Sequence, residues 1–168
     1  MKLKTRDIAV FAVMAALMFS TKKVMESLPN VHLLGMFIVS LAVIYRTRAL
    51  IPIYVYVFLD GLFGGFSTWW VPYLYIWAIL WGMTMLIPKK LPEKTKNILY
   101  VTFCGLHGFL FGTLYLPANA LMFGFTFEQS VAWWLKSLPY DFIHGVSNLC
   151  VGLIIIPMVH ILQRLNKN

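Results

Sequence analysis

The sequence predicts an all-α integral membrane protein, a compact bundle of six short transmembrane helices with both termini cytoplasmic. Composition is the first reason: of 168 residues, 60% are hydrophobic and 12% charged, against about 45–50% and 25% in a soluble domain. Mean hydropathy is +0.77, more than a soluble core can use. The second reason is pattern, because the apolar residues fall into runs separated by clusters of Lys and Arg. A chain of this length makes one membrane domain, 1–168, with about six spans across a core of about 30 Å and no room for a separate soluble catalytic domain. The net charge of +8 would point to nucleic acid in a soluble protein. Here the basic clusters read as topology signals, and no nucleic-acid partner is expected.

The opening Met1-Lys2-Leu3-Lys4-Thr5-Arg6 before an apolar run resembles a secretory leader. No small-residue cleavage site follows and five more apolar segments do, so it is read as an uncleaved first span over 7–25. Its Lys22 and Lys23 are placed to snorkel toward the outer headgroups. After a turn at Ser27-Leu28-Pro29-Asn30, the second span covers 31–45 and stops at Arg46-Thr47-Arg48, since arginines at mid-bilayer are costly. The third, 49–63, tolerates Pro52 in its first turn and ends in Gly61, Gly64 and Gly65.

The fourth span, 70–87, ends at Pro88, where a hydrophilic loop carries Lys89, Lys90, Lys94 and Lys96. The fifth, 98–116, holds Gly105, Gly108 and Gly112 for close helix contact and is interrupted near Pro117. An interfacial helix over 127–137, with Trp133 and Trp134, precedes a sixth span over 139–162 that is kinked at Pro157. Several of these segments are shorter than the ~20 residues that usually cross a bilayer. Cys104 and Cys150 fall inside spans and read as small packing residues.

Orientation follows from the basic residues. The N-terminus, the Arg46/Arg48 turn, the lysine loop and the tail with Arg164 and Lys167 hold eleven of the fourteen Lys and Arg. Placing them inside puts both termini in the cytoplasm and leaves only Lys22, Lys23 and Lys136 outside. Polar and aromatic residues then gather at the outer ends: Asn30, His32, Asp60, Trp70, Tyr73, Trp77, Tyr115, Asn119, Asp141, His144 and Asn148. Asp141, His144 and Asn148 share one helical face at i, i+3, i+7. Ionisable groups at membrane depth mark either a site or an interhelical hydrogen-bond cluster, and both readings stand here. Trp70, Tyr73 and Trp77 make a similar stripe, suited to stacking on a flat ligand or to an aromatic belt. Asp60 is either a counter-charge to a ligand or an exposed helix-end carboxylate. His107 reads as a packed, hydrogen-bonded histidine.

No Gly-x-Ser-x-Gly, His-Glu-x-x-His, Walker A or Cys-x-x-Cys pattern occurs, so neither enzyme activity, a cofactor nor a metal is expected.

The layout, with six short spans, a basic N-terminus leading into Ala12-Val13-Met14-Ala15-Ala16, and polar outer ends, resembles the substrate-binding S component of energy-coupling factor (ECF) vitamin transporters. The resemblance covers nearly the whole chain and implies a bacterial plasma-membrane protein. It also implies an outward-facing pocket for a vitamin or vitamin precursor, formed by the first loop, the loop between spans three and four, and the outer halves of spans four to six. Ala12 and Ala16, continued by Ser20, would form the docking face for the ECF transmembrane coupling subunit, itself driven by two cytoplasmic ATPases. Small side chains on one face let a second helix approach closely, whether that helix belongs to a partner or to the same bundle. Two alternatives are a ligand-free scaffold subunit of the MreD type and a small self-sufficient transporter.

Overall fold

A computed structural model describes residues 3–167 and shows an all-α protein, 80% helical, with no strand among the described residues. Lys2 lies outside them, as does the side chain of Lys167. The helices are α1 (Thr5–Val24), α2 (Leu34–Tyr45), α3 (Leu50–Gly64), α4 (Tyr73–Met85), α5 (Glu93–Phe109), α6 (Phe111–Phe123), α7 (Phe127–Gly152) and α8 (Ile155–Lys167), with a 3₁₀ turn at Arg46–Ala49 between α2 and α3.

Helix α1 begins where the Asp7 carboxylate accepts the Lys4 amide at 3.3 Å, and it ends with Lys22 and Lys23 against the negative end of the helix dipole. Phe11, Met14, Ala15 and Met18 are buried on one face, while Ala12, Ala16 and Ser20 are exposed on the other. Helix α2 is apolar around almost its whole circumference and buried accordingly. It packs on α1, α4, α5, α7 and α8 and forms the axis of the bundle.

Side-chain contacts fix the direction of each helix. Tyr45, at the end of α2, meets Phe11 near the start of α1, with ring centroids 4.9 Å apart. Arg48 pairs with the buried Asp7 at 3.0 Å, and Lys22 pairs with Asp60. Helix α1 therefore runs antiparallel to α2 and parallel to α3. The reversal falls at Arg46, whose φ of 53° is costly for a residue with a Cβ. It is held by the Trp81 indole, which donates to the Arg46 carbonyl at 2.9 Å. Tyr54 donates to the Leu74 carbonyl at 2.8 Å and Trp70 to that of Val57 at 2.8 Å, which sets α4 antiparallel to α3.

Helices α5 and α6 together lie antiparallel to α7: Asn148 donates to the Cys104 carbonyl at 3.1 Å and the Gly112 amide donates to Asp141 at 2.8 Å. Helix α8 returns to the basic end, where Arg6 donates to the Asn166 carbonyl at 2.9 Å. Counting α5–α6 and α7–α8 as one leg each, the chain passes six times between two ends.

The run Leu34–Gly64 has the length and hydropathy of a membrane-crossing helix, and the pairs α5–α6 and α7–α8 qualify when each bent pair counts as one. Because the first run reverses at Arg46, it is two antiparallel legs. At a 1.5 Å rise per residue, the 12 residues of α2 span about 18 Å.

Several boundaries differ from the sequence expectation. The fifth leg breaks at Leu110, between α5 and α6, with a bend of 41°. Pro117 instead lies within α6. The segment 127–137 is the first part of α7, which runs on through Pro139. The last leg bends by 52° between Gly152 and Ile155. Pro157 sits in the first turn of α8, where its missing N–H has no helical partner to lose. Cys104 is buried as expected, but Cys150 is exposed and packs in no core.

The α5–α7 contact, the most extensive in the fold, depends on absent side chains. A Cβ on Gly108 would stand 2.8 Å from the His144 carbonyl oxygen, whereas a Cβ on Gly82 of α4 would meet nothing within 4 Å. Gly108→Ala should therefore lower stability by about 1–3 kcal/mol through overpacking against backbone. Gly82→Ala should be neutral or raise it by up to about 1 kcal/mol. Thermal unfolding of the two variants in one detergent checks the contrast.

Candidate binding site

The end opposite the basic cluster contains a chamber of about 180 Å³, walled by Lys22, Asn30, His32, Tyr73, Phe111 and His144 among others. Each wall residue is delivered by a different local feature. Lys22 comes from the last turn of α1. Asn30 adopts φ 60°, a left-handed conformation that Asn tolerates better than most residues, and its turn brings the chain back toward the bundle just before His32. Tyr73 opens α4, Phe111 opens α6, and His144 lies midway along α7.

Aromatic rings build the wall edge to face. The His32 ring lies 4.6 Å from His144 at 78° and 5.9 Å from Trp77 at 75°. Tyr73 meets Trp77 at 5.4 Å and Tyr115 at 6.2 Å in the same way, while Phe111 meets His144 at 4.7 Å with the planes tilted by 58°. Perpendicular packing aligns ring edges with the negative faces of their neighbours and leaves little rotational freedom. Tyr115 is tied down further, its hydroxyl donating to the Trp69 carbonyl.

The charged groups of the chamber are already paired. Asp60 is buried on α3 and bound to Lys22. The Lys22 ammonium also lies over the Tyr73 ring at 4.9 Å and the Trp69 ring at 5.4 Å, a cation–π arrangement. Lys22 thus turns inward to a carboxylate and two rings, where the sequence suggested snorkelling, and Asp60 is not the exposed helix end that one reading allowed. Glu26 sits 3.3 Å from Lys23. Among the described residues no carboxylate lies within ion-pair distance of a histidine.

Several polar atoms of this cluster have no protein partner. Both ring nitrogens of His144, Nδ1 of His32 and Nε1 of Trp77 are buried without a hydrogen bond. Buried polar groups are nearly always satisfied, and leaving one unpaired costs about 1–3 kcal/mol. The His32 and His144 nitrogens belong to the chamber wall, where a ligand would supply the missing partners, whereas Trp77 stands behind that wall.

A second, more open hollow of about 370 Å³ adjoins the chamber and shares Asn30 and Phe111 with it. Tyr115, Trp133, Lys136 and Asp141 stand around it. The Asp141 carboxylate is engaged, accepting from the Gly112 amide at 2.8 Å and the Ser137 hydroxyl at 3.1 Å.

The structure therefore gathers Asn30, His32, Tyr73, Trp77, Tyr115 and His144 in one place, with Asp141 in the adjoining hollow. Asn148, though on the same face of α7, donates to the Cys104 carbonyl and serves the α5–α7 contact. Trp70 fastens α4 to α3 through the Val57 carbonyl. Asn119 is buried on α6 and lines neither hollow. His107 is packed, its Nε2 lying 3.0 Å from the Ile76 carbonyl. Sequence reasoning missed Phe111, because a phenylalanine within an apolar run carries no signal of its own. Its contact with His144 arises only from the break at Leu110. Comparison with known protein families, with curated proteins and with solved structures returned no match.

The pairing of Lys22 with a carboxylate that is 1% exposed has a measurable consequence. Lys22→Met strands the Asp60 charge and should cost on the order of 3 kcal/mol, toward the low end for a buried pair because Lys22 is partly exposed. Lys22→Met combined with Asp60→Leu should recover most of that loss. A double-mutant cycle by thermal unfolding reads the coupling.

Proposed function

We propose that this chain is the substrate-binding S component of an ECF-type importer in the bacterial plasma membrane. It captures a small micronutrient, a vitamin or vitamin precursor, at the outer face. It then delivers that molecule by docking on a transmembrane coupling subunit driven by two cytoplasmic ATPases. The observation that carries this reading is the chamber whose buried histidine nitrogens lack protein partners. A ligand-free scaffold has no use for unsatisfied polar groups, and its sequence would be free to replace them with apolar side chains.

Three further features support the reading. The six passes between the two ends fit six short membrane spans, with the basic residues and both termini on the cytoplasmic side by the positive-inside rule. Legs as short as α2 suit a bundle that tilts, thins the bilayer or is shielded by a partner protein. Finally, Ala12, Ala16 and Ser20 are exposed on α1, where a second helix can approach closely.

Two outcomes are expected. Protein purified in mild detergent and then denatured should release a near-stoichiometric small molecule, identifiable by mass spectrometry; an empty protein from cells grown in rich medium would shift the weight to the scaffold reading. Ala12→Trp or Ala16→Trp should abolish cellular uptake of that compound while leaving its affinity for the purified protein within about twofold, since an exposed substitution away from the chamber disturbs neither core nor site. Uptake by the isolated chain in liposomes would instead identify a self-sufficient transporter.

A further inference from the structure

We infer that the chamber selects an uncharged, flat nitrogen heterocycle of one or two rings, and that it discriminates against carboxylate-bearing ligands. This rests on the capture reading above and adds to it the chemical class of the captured molecule.

The argument begins with charge. Every ionised side chain of the chamber wall is already matched: Lys22 by Asp60, and Glu26 by Lys23. In the adjoining hollow Lys136 and Asp141 bring opposite charges to the same walls. An anionic ligand at Lys22 would share that ammonium with Asp60, setting two carboxylates against a single cation with no other cation within ion-pair distance of Asp60. A cationic ligand would meet Lys22 itself. Neither charge is welcome in a site that is neutral before anything enters it, because desolvating an unmatched ion is among the largest costs in binding.

Apart from Oδ1 of Asp60, whose other carboxylate oxygen holds Lys22, the groups of this cluster that lack partners are neutral. His144 has no partner at either ring nitrogen, His32 has none at Nδ1, and no carboxylate lies within ion-pair distance to hold a proton on either ring. A neutral imidazole offers one donor and one acceptor. Two such rings, edge to face at 4.6 Å, therefore call for a ligand that alternates acceptors and donors along an edge, as ring nitrogens and carboxamides do. Tyr73 and Phe111 supply apolar ring surface on the same walls, which favours a flat molecule.

Size sets the remaining limit. At about 30 Å³ for each water-sized unit, a chamber of about 180 Å³ holds a one- or two-ring molecule and no long chain. A substituent on the ring would extend past Asn30 and Phe111, which the two hollows share.

The test uses matched pairs that differ in charge at nearly constant shape: nicotinamide with nicotinate, orotamide with orotate, and quinoxaline-2-carboxamide with quinoxaline-2-carboxylate. Binding to the purified full-length protein in detergent is followed by calorimetry, after removal of any co-purified compound. The neutral member of at least one pair should bind ~10-fold or more tightly than its carboxylate, the scale of one unmatched buried charge or polar group. His144→Phe keeps the ring and removes both nitrogens, so it should weaken the neutral probe ~10-fold, and His144→Gln or His144→Asn should restore part of that loss. Wild-type thermal stability and a single gel-filtration peak separate these effects from misfolding.

Equal or tighter binding of the carboxylates, or unchanged binding in His144→Phe, overturns the neutral-heterocycle assignment and leaves capture itself standing. If no probe binds, the compound released on denaturation decides: an uncharged heterocycle supports the assignment, and an anionic or aliphatic compound overturns it. If no probe binds and nothing is released, the assignment and the capture reading fall together.

Discussion

Helix α2 carries only the hydroxyls of Ser40 and Tyr45 on an otherwise apolar surface, and ten of its twelve residues are buried. A helix without a polar face has to be covered on every side by other apolar helices or by lipid. Here protein does the covering, since α1, α4, α5, α7 and α8 all touch it. Those legs are arranged around that axis, α3 packs on α1 and α4, and the outer faces stay apolar and exposed, as Val13, Phe58 and Phe142 illustrate. Apolar exposure of that extent fits lipid better than water.

Charge is sorted along the axis as apolarity is sorted around it. Arg6, Arg46 and Arg48 gather at one end, where a carboxylate and main-chain carbonyls receive them. At the other end the Lys22–Asp60 pair closes the α1–α3 contact beside the chamber. Both ion pairs join α1 to the α3 side of the Arg46 reversal, one at each end, so they fix the parallel alignment of α1 and α3 that a short loop alone could not. The Lys22 ammonium belongs to the chamber wall as well as to this clamp. Stability and site chemistry are thus coupled through a single side chain.

The chamber exists because of one helix break and one left-handed turn. The bend of 41° after α5 swings Phe111 against His144, and the left-handed Asn30 folds the α1–α2 loop back so that His32 reaches the same ring. Small residues at the α5–α7 contact allow the close approach that brings α7 near enough for both. Packing of this kind leaves polar atoms unsatisfied, and the proposed capture role rests on that cluster.

The helical class, the apolar legs and the segregation of Lys and Arg were legible in the sequence, because hydropathy and charge are properties of residue types and survive any arrangement of the helices. So was the shared face of Asp141, His144 and Asn148, since helical periodicity alone dictates it. Which of those three faces the chamber was not legible: Asn148 is turned to the Cys104 carbonyl by the depth of the α5–α7 crossing, and Asp141 is claimed by the Gly112 amide. Nor did the sequence reveal that Lys22 would meet Asp60 across 38 positions, that the fifth leg would break at Leu110 while Pro117 stayed helical, or that Pro139 would pass within α7. Those outcomes depend on pairwise distances between distant segments. Local propensity fixes which residues can form a helix and which face is apolar, but only the packed bundle decides which polar atom finds a partner and which is left without one.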